Sequence, residues 1–203
     1  MPVQVSPASR VIVSLCGPSG SGKSQLAKAI VERLGPTESV RIPTDYYIEP
    51  AVVPLTDYFR QPLRYDWRLL DTVLALPDGS TATTPHLDFG SFQRIPAPGG
   101  KEFTMRRVVI LDGIYPYPCS DLAILVTASP DVRKARIATR DKAWGTQVID
   151  RWEHLELARA QLEQQAAAFH QLLSGTAPLA ENAVSVVCLL QKVHPKPTEP
   201  PST

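Results

Sequence analysis

The sequence predicts an α/β fold with a parallel sheet and helices on both of its faces. Short apolar runs alternate along the chain with segments of helical periodicity, which is the order expected of strand–helix–strand units. The runs at 108–111 and 122–126 contain only Val, Ile, Leu and Ala, as in strands buried on both faces. The chain has 203 residues, which is enough for one domain with a sizeable core. Ligands of such a fold bind beyond the carboxyl ends of the strands.

The first strand, loop and helix predict a site for nucleotide phosphates. An apolar strand at 11–16 precedes residues 17–24, which match the P-loop pattern G-x-x-x-x-G-K-S, and an amphipathic helix follows at 25–34. Glycines let consecutive N–H groups turn towards an anion, and the helix N-terminus adds its positive dipole end. A glycine-rich turn that binds nothing is the alternative, and the flanking strand and helix disfavour it. The candidate nucleotide-binding residues are Gly17, Ser19, Gly20, Ser21, Gly22, Lys23, Ser24 and Gln25.

The next quarter of the chain predicts one strand, one loop and one helix. Gly35 and Pro36 end the first helix, and residues 39–42 form a short strand. Residues 48–65 contain three prolines without a steady period, which indicates a loop with at most one helical turn. Residues 66–76 have a helical apolar face, which ends at the Pro-Asp-Gly that follows.

The middle of the chain predicts a small β insertion and two buried strands. Residues 80–105 read as short strands joined by turns, with one turn at 98–100. The strands at 107–112 and 122–126 belong to the main sheet, and the first of them ends in Asp112.

The last third predicts two helices, a strand and a tail. Ser129, Pro130 and Asp131 are typical of a helix start, so a helix is expected to about residue 142. A long helix is predicted from about 147 to 173, and a last strand at 183–190. Residues 1–9 are expected to be a flexible leader and the proline-rich residues 194–203 a disordered tail, with the P-loop domain at 10–193.

Composition excludes several classes of partner. The net charge is +1 and no basic stripe occurs, so no nucleic-acid partner is expected. The chain contains no run of about 18 apolar residues, so no membrane span is predicted. The N-terminus lacks the apolar core of a signal peptide, so a cytoplasmic protein is expected. Three cysteines without C-x-x-C spacing argue against a metal site or disulfides. Cys16 and Cys188, in strand-like runs, are expected to be small core residues, and Cys119 has no predicted role.

Two acids follow predicted strands on the side where ligands should bind. Asp112 ends a buried strand as a Walker-B acid does, and with Ser24 it is the predicted Mg²⁺ site. The alternative role for Asp112 is that of an ordinary turn aspartate before Gly113. Asp45 can face the γ-phosphate from the acceptor side and take a proton from an attacking hydroxyl. Residue type alone does not separate that role from a helix-capping one.

A group of arginines follows Ser129. Arg133, Arg136 and Arg140 are spaced i, i+3, i+7 and therefore share one helix face. Such a face could stabilise the charge of a transferring phosphoryl group, and the alternative is a solvated helix surface, which is expected for Lys134.

Taken together, these motifs resemble the uridine kinase and phosphoribulokinase family of P-loop kinases. The P-loop Gly-Pro-Ser-Gly-Ser-Gly-Lys-Ser is a form that such kinases favour, and the similarity extends over roughly residues 10–145 in the same order. The matching segments are Thr44-Asp45-Tyr46-Tyr47, Tyr65-Asp66-Trp67 followed by Asp71, Pro85-His86-Leu87-Asp88-Phe89 followed by Arg94, Val109 to Ile114 with Asp112 for the family's Glu, and Arg140-Asp141.

The resemblance implies a P-loop NTPase fold and an ATP- and Mg²⁺-dependent transfer of the γ-phosphate to a hydroxyl of a small metabolite, foremost a nucleoside. It implies that Asp45 is the general base, Asp66 a ribose ligand, Lys23 and Arg140 catalytic through the phosphates, and Ser24 with Asp112 the metal ligands. The implied substrate-binding residues are Asp45, Tyr47, Asp66, Leu87, Phe89, Phe92 and Arg94.

The chain also departs from that family. Leu87 and Phe92 stand where uridine kinases carry a Tyr and a His that read the pyrimidine, and 142–145 lack the family's lid pattern. Neither side chain can make the same hydrogen bonds. Kinases for pantothenate, glycerate or nicotinamide riboside are alternatives, as is a non-catalytic nucleotide-binding regulator. The Asn-Lys-x-Asp guanine reader of GTPases is missing. The sequence does not fix the ATP or GTP preference, and it is compatible with a homo-oligomer.

Overall fold

A computed structural model of the chain describes residues 10–96 and 99–193. The predicted leader at 1–9, the predicted tail at 194–203 and part of the predicted turn at 98–100 lie outside the described residues. The strands are β1 (Val11–Cys16), β2 (Ser39–Pro43), β3 (Thr81–Thr83), β4 (Leu87–Asp88), β5 (Gln93–Arg94), β6 (Glu102–Thr104), β7 (Val108–Asp112), β8 (Leu122–Thr127) and β9 (Gln171–Ser174). The helices are α1 (Lys23–Leu34), α2 (Leu55–Tyr58), α3 (Trp67–Leu74), α4 (Pro130–Trp144), α5 (Trp152–Gln164) and α6 (Leu179–Val193).

Five parallel strands form the central sheet, in the order β2-β7-β1-β8-β9. The interior strands are apolar because both of their faces are covered. On one face, side chains such as Val13 and Ile110 pack against α1 and α6. On the other face, residues such as Leu111 and Leu125 pack against α3 and α5. The predicted parallel sheet with helices on both faces is therefore confirmed.

Strand register determines where the polar residues meet. Asp112, the last residue of β7, pairs with Leu15 of β1 on one side and with Pro43 of β2 on the other. The loop that follows β1 and the turn that follows β2 therefore leave the sheet beside Asp112. This edge is the crevice at the carboxyl ends of parallel strands, where the fold places its ligands.

The predicted β insertion is present between residues 81 and 104. It consists of two antiparallel pairs, β3 with β6 and β4 with β5, outside the main sheet. The Asp88 carboxylate accepts hydrogen bonds from the backbone N–H groups of Gly90 and Ser91 and from the Ser91 hydroxyl. These bonds close the tight connection between β4 and β5, and they lower the pKa of Asp88. Phe92, at the end of that connection, has a left-handed φ of 53°.

The prediction of a strand at 183–190 is wrong, because these residues lie inside helix α6. Their β-branched composition favours a strand, but their buried side chains are Ala183, Val186, Val187 and Leu190. This spacing follows the helical period of 3.6 residues and lets α6 cover α1. Cys188 lies on the opposite side of α6 and is exposed, which corrects its prediction as a core residue, while Cys16 is buried in β1 as predicted.

The prediction of one long helix from about 147 to 173 is also wrong. A 3₁₀ turn at Val148–Arg151 leads into α5, a second 3₁₀ turn covers Ala166–Ala168, and the segment ends in β9, the fifth strand of the main sheet. β9 has only four residues and one buried side chain, Leu173, so its sequence carries no alternation long enough to read. Its pairing with β8 is what makes it a strand.

Within the described residues, none of the helices combines the length and the apolar character needed to cross a membrane.

Candidate active site

The P-loop leaves a set of backbone donors free. Among the described residues, the N–H groups of Ser19, Gly20, Gly22, Lys23 and Ser24 have no backbone acceptor. Gly20 has φ of +80°, and a Cβ there would lie 2.8 Å from the carbonyl oxygen of Arg133, so only glycine fits this close turn. Successive free N–H groups at the start of a helix form an anion site. These donors could serve a phosphate cradle, and the binding of nucleotide phosphates at this loop stays a prediction.

Arg136 holds the outside of this loop. Its Nη1 donates to the carbonyl oxygens of Gly20 and Ser21 at 3.1 and 3.2 Å, and its Nη2 donates to that of Gly175 at 2.9 Å. These carbonyls belong to peptide units on the back of the loop, so Arg136 stabilises the loop from behind. The shared helix face had suggested that Arg136 lies beside the phosphates. Its hydrogen bonds instead go to the backbone of the loop.

Arg133 is buried under the same loop. Its side chain is fully buried, pairs with Glu156 and packs over the ring of Trp152 at 4.8 Å. Lys134 also lies 4.8 Å from the Trp152 ring, on an otherwise exposed helix surface. The predicted common face of Arg133, Arg136 and Arg140 is therefore divided among three roles, because α4 packs directly against the P-loop and α5.

Lys23 and Ser24 begin α1 and are directed to the strand ends. Lys23 is 6% exposed, and its ammonium lies 3.5 Å from the carbonyl oxygen of Pro18 within the loop. The Ser24 hydroxyl donates to Oδ1 of Asp112 at 3.2 Å. The two predicted metal ligands are thus adjacent, although they are 88 residues apart in sequence.

Arg41 is a site residue that the sequence analysis missed. Its Nε donates to Oδ2 of Asp112 at 2.9 Å, and its Nη2 donates to the same oxygen. The Asp112 side chain is 2% exposed and the Arg41 side chain 22%. One signal was available: Arg41 is the single charged residue of strand β2, between buried Val40 and Ile42.

Asp45 follows β2 in a 3₁₀ turn at Thr44–Tyr47 and is half-buried. Burial raises the pKa of its carboxyl, the Asp112 carboxylate adds to that rise, and the charges of Lys23, Arg140 and Arg41 oppose it. Oδ1 of Asp45 lies 3.5 Å from the Tyr65 hydroxyl. A carboxylate with a raised pKa beside a phosphate site is suited to accept a proton.

Three other predicted substrate residues make contacts within the protein, at or near the turn that carries Asp45. Asp66 caps α3 by accepting from the N–H of Leu69 at 3.0 Å. Arg94 donates to the carbonyl oxygens of Tyr46 and Ile48 at 3.0 and 3.1 Å, so it fixes the turn that carries Asp45. Tyr47 is fully buried, its hydroxyl has no partner among the described residues, and burial raises its pKa to about 12.

The remaining predicted substrate residues belong to an aromatic cluster in the insertion. Leu87 and Phe92 are only 3% and 6% exposed, whereas Phe89 is 40% exposed. Phe92 packs against Phe59 with ring centroids 5.0 Å apart, and Phe89 lies 5.2 Å from the ring of Tyr46. Phe89 and Tyr46 therefore form an accessible aromatic surface next to Asp45, a contribution of Tyr46 that the sequence analysis did not name.

Arg140 lies at the end of α4, near the segment predicted as a lid. Its guanidinium stands 5.8 Å from the ring of Trp144, which is 72% exposed. Asp141 accepts from the Thr146 hydroxyl and from the N–H of Ile149 at 2.5 and 2.8 Å, which ties the following turn to α4. The Arg140-Asp141 pair thus opens a short, compact segment, and the charge of Arg140 reaches Asp45.

Several known proteins that are similar to this chain are named as kinases, although no protein-family model matches it. It is 28% identical over 142 residues to a uridine kinase of Deinococcus deserti, which covers 64% of this chain and 68% of the relative. It is 31% identical over 110 residues to a uridine kinase of Chloroflexus aurantiacus, covering 51% and 52%. The chain therefore spans about half the length of this second relative. A solved structure from Silicibacter sp. TM1040, named as a fructose transport system kinase, has a TM-score of 0.54 at 18% identity, covering 85% of this chain and 91% of that one.

The chain resembles uridine kinase-like P-loop kinases. Both this resemblance and the P-loop NTPase fold, predicted from the motifs, are confirmed. Since the relatives are named as kinases, the chain is related to phosphotransferases at modest identity. The roles of its individual site residues stay predictions.

Magnesium is the metal that this type of site implies. No cluster of three or more His, Cys, Asp or Glu side chains able to hold a metal occurs at 10–96 or 99–193. Ser24 and Asp112 nevertheless offer two hard oxygen ligands 3.2 Å apart at the foot of the P-loop. Mg²⁺ binds through one or two protein oxygens together with nucleotide phosphates, so these residues fit a metal that arrives with the nucleotide.

Asp112→Asn tests this pair of ligands. The substitution keeps the shape of the side chain and removes its charge, so we expect Mg²⁺ to strengthen nucleotide binding only at a concentration at least about tenfold higher. A magnesium titration of nucleotide binding measures the effect, and Asp131→Asn on the exposed start of α4 is the matched control. An unchanged magnesium titration would remove Asp112 from the proposed metal site and leave it as the structural partner of Arg41 and Ser24.

Proposed function

We propose that the chain is an ATP-dependent kinase that transfers the γ-phosphate to a hydroxyl group of a small metabolite. The observation that carries the proposal is the convergence of three functions at one edge of the sheet. The P-loop donors, the Ser24–Asp112 pair and the half-buried carboxylate of Asp45 come from three different segments. A purely regulatory nucleotide-binding protein has no use for Asp45 on the acceptor side.

Each residue has a task in this reaction. The free N–H groups of the P-loop and the Lys23 ammonium bind the β- and γ-phosphates, and Lys23 stabilises the charge of the transferring phosphoryl group. Ser24 and Asp112 would hold Mg²⁺, which neutralises phosphate charge when it is bound. Asp45 accepts the proton of the attacking hydroxyl, and Arg140 adds positive charge from the end of α4. Arg94 keeps the Asp45 turn in place through two backbone carbonyls.

The acceptor is proposed to be a nucleoside or a metabolite of similar size. Tyr46, which follows Asp45, and Phe89 form an aromatic surface that suits a flat group. Asp66, the proposed ligand of a polyol, is joined to the same turn because its N–H donates to the carbonyl oxygen of Tyr47. Kinases for pantothenate, glycerate or nicotinamide riboside remain the alternative acceptor classes. A screen of such hydroxyl compounds with ATP, scored by ADP release, tests the proposal. If no compound in the screen caused ADP release, the proposal would be refuted.

Uridine selectivity is expected to be weak. Leu87 and Phe92 are apolar and buried, so neither offers a hydrogen bond to a pyrimidine edge. A site without those partners loses most of its discrimination between bases. We expect kcat/KM for uridine to be within about tenfold of that for other ribonucleosides. A preference for uridine and cytidine above a hundredfold would show that other groups read the base.

A further inference from the structure

The phosphoryl transfer proposed above assigns no task to Arg41, although Arg41 forms an ion pair with the proposed metal ligand Asp112. Both Asp112 oxygens are occupied: Oδ2 accepts from two nitrogens of Arg41, and Oδ1 accepts from the Ser24 hydroxyl. These partners come from β2 and α1, so the carboxylate is held on two sides by different elements. Its side chain is 2% exposed, so the two partners and the surrounding strands shield it from solvent.

The position of Arg41 follows from the alternation of side chains along β2. Val40 and Ile42 face the core cluster that contains Leu111, so Arg41 faces the opposite side of the sheet. Asp112 alternates with Leu111 along β7 and therefore lies on that same side, next to the start of α1. The guanidinium of Arg41 thus stands at the foot of the phosphate site, on the flank away from β1.

The charges of the site show what Arg41 changes. Asp45 and Asp112 are two carboxylates at the place where a nucleotide brings further negative charge. Lys23 and the P-loop dipole are countered by these acids, and Arg41 acts on both of them, since its charge also opposes the raised pKa of Asp45. Like charges within a few ångströms repel strongly at a half-buried site.

We propose that Arg41 is a built-in counter-charge that neutralises Asp112 and allows nucleotide phosphates to bind in the absence of Mg²⁺. It is a positioning residue, because it acts through Asp112 and not on the substrate. The inference rests on the nucleotide-binding function proposed above and adds to it an order of events in which the metal need not precede the nucleotide. When Mg²⁺ is present, its two positive charges offset the same carboxylates, so Arg41 matters less.

Calorimetric binding of ADP, in excess EDTA and in saturating Mg²⁺, tests this proposal without any turnover. We expect Arg41→Met to lower the metal-free affinity by about tenfold or more and the affinity with Mg²⁺ by about threefold or less. Arg41→Lys keeps the charge and should retain most of the metal-free affinity. Arg68→Met, on the exposed surface of α3, is the matched control and should behave as the wild type.

A double variant separates charge balance from damage to the fold. Arg41→Met alone leaves a buried carboxylate unpaired, so its melting temperature should fall. Adding Asp112→Asn removes the charge that Arg41 neutralises, and the double variant should recover both the melting temperature and the metal-free affinity. If the single variant does not fold, Arg41→Lys and the double variant still decide the matter.

Equal losses of affinity in EDTA and in Mg²⁺ would overturn the proposal, because they would mark Arg41 as a general structural support. Arg41→Lys binding as weakly as Arg41→Met, or a folded double variant without recovery, would also overturn it. A wild-type chain that binds ADP in neither condition would refute the proposed nucleotide function itself, and this inference with it.

Discussion

Lys23→Ala is expected to lower kcat by about 10²–10³-fold, the usual cost of removing one preorganised group that stabilises charge in the transition state. The ammonium is almost completely buried against the P-loop carbonyl of Pro18 and has no carboxylate partner within hydrogen-bond distance among the described residues. Bound phosphate oxygens are the partners that would offset this burial. The measurement is a steady-state assay of ADP release at saturating ATP, with the acceptor found by the screen.

The fold should tolerate the loss of Lys23. Burying a cation is costly and Lys23 makes no close ion pair among the described residues, so the melting temperature should be unchanged or slightly higher. Lys28→Ala, on the exposed side of the same helix, is the control and should retain full activity. Turnover near the wild-type rate in a folded Lys23→Ala chain would remove the P-loop from the proposed mechanism.

Asp45→Asn is expected to lower turnover by about 10²–10⁴-fold while nucleotide affinity stays nearly constant. The amide keeps the size of the carboxylate and can still accept a hydrogen bond, but it cannot take the proton of the attacking hydroxyl. Since the phosphates are bound by the P-loop on the far side of the γ-phosphate, a split between kcat and affinity for ATP is the signature of a base. Stopped assays for turnover and calorimetry for ATP binding measure the two quantities separately.

Two results would change the role of Asp45. Wild-type turnover would reduce it to a residue of the 3₁₀ turn. Loss of ATP binding would assign it to the metal site, and Asp66 or Asp88 would then be the next candidates for the base. Asp57→Asn, an exposed acid of α2 whose surface ion pair with Arg60 contributes little, is the matched control.

The parts of the fold that the sequence predicted are those with a strong local signal. The buried strands β1, β7 and β8 and the P-loop combine composition, length and a defined motif, so their positions were predicted to within about two residues. Helix α6 was misread because a run containing Val184, Val186 and Val187 carries a strand-like composition on top of a helical period. Strand β9 depends on its pairing with β8, and local sequence cannot reveal a long-range pairing.

The sequence was a better guide to which residues belong to the candidate site than to what those residues contact. Ser24 and Asp112 were predicted as partners from their chemistry, and they are adjacent in space. Arg133 and Arg136 were predicted beside the phosphates, yet one is buried under the P-loop and the other binds its outer carbonyls. Helical spacing indicates which side chains share a face, but the packing partner of that face is decided by tertiary structure.

The support of the P-loop by distant residues has a consequence for biosynthesis. Arg136 reaches the loop across 116 residues of sequence, and Gly175, which follows β9, approaches so closely that a Cβ would lie 1.7 Å from the Ser21 oxygen. At about 5–20 residues per second, on the order of ten seconds separate translation of the loop from that of its supports. When the P-loop and β1 emerge from the ribosome, the loop is therefore unbraced and the strand unpaired, and the site can form only after residue 175 has also been synthesised.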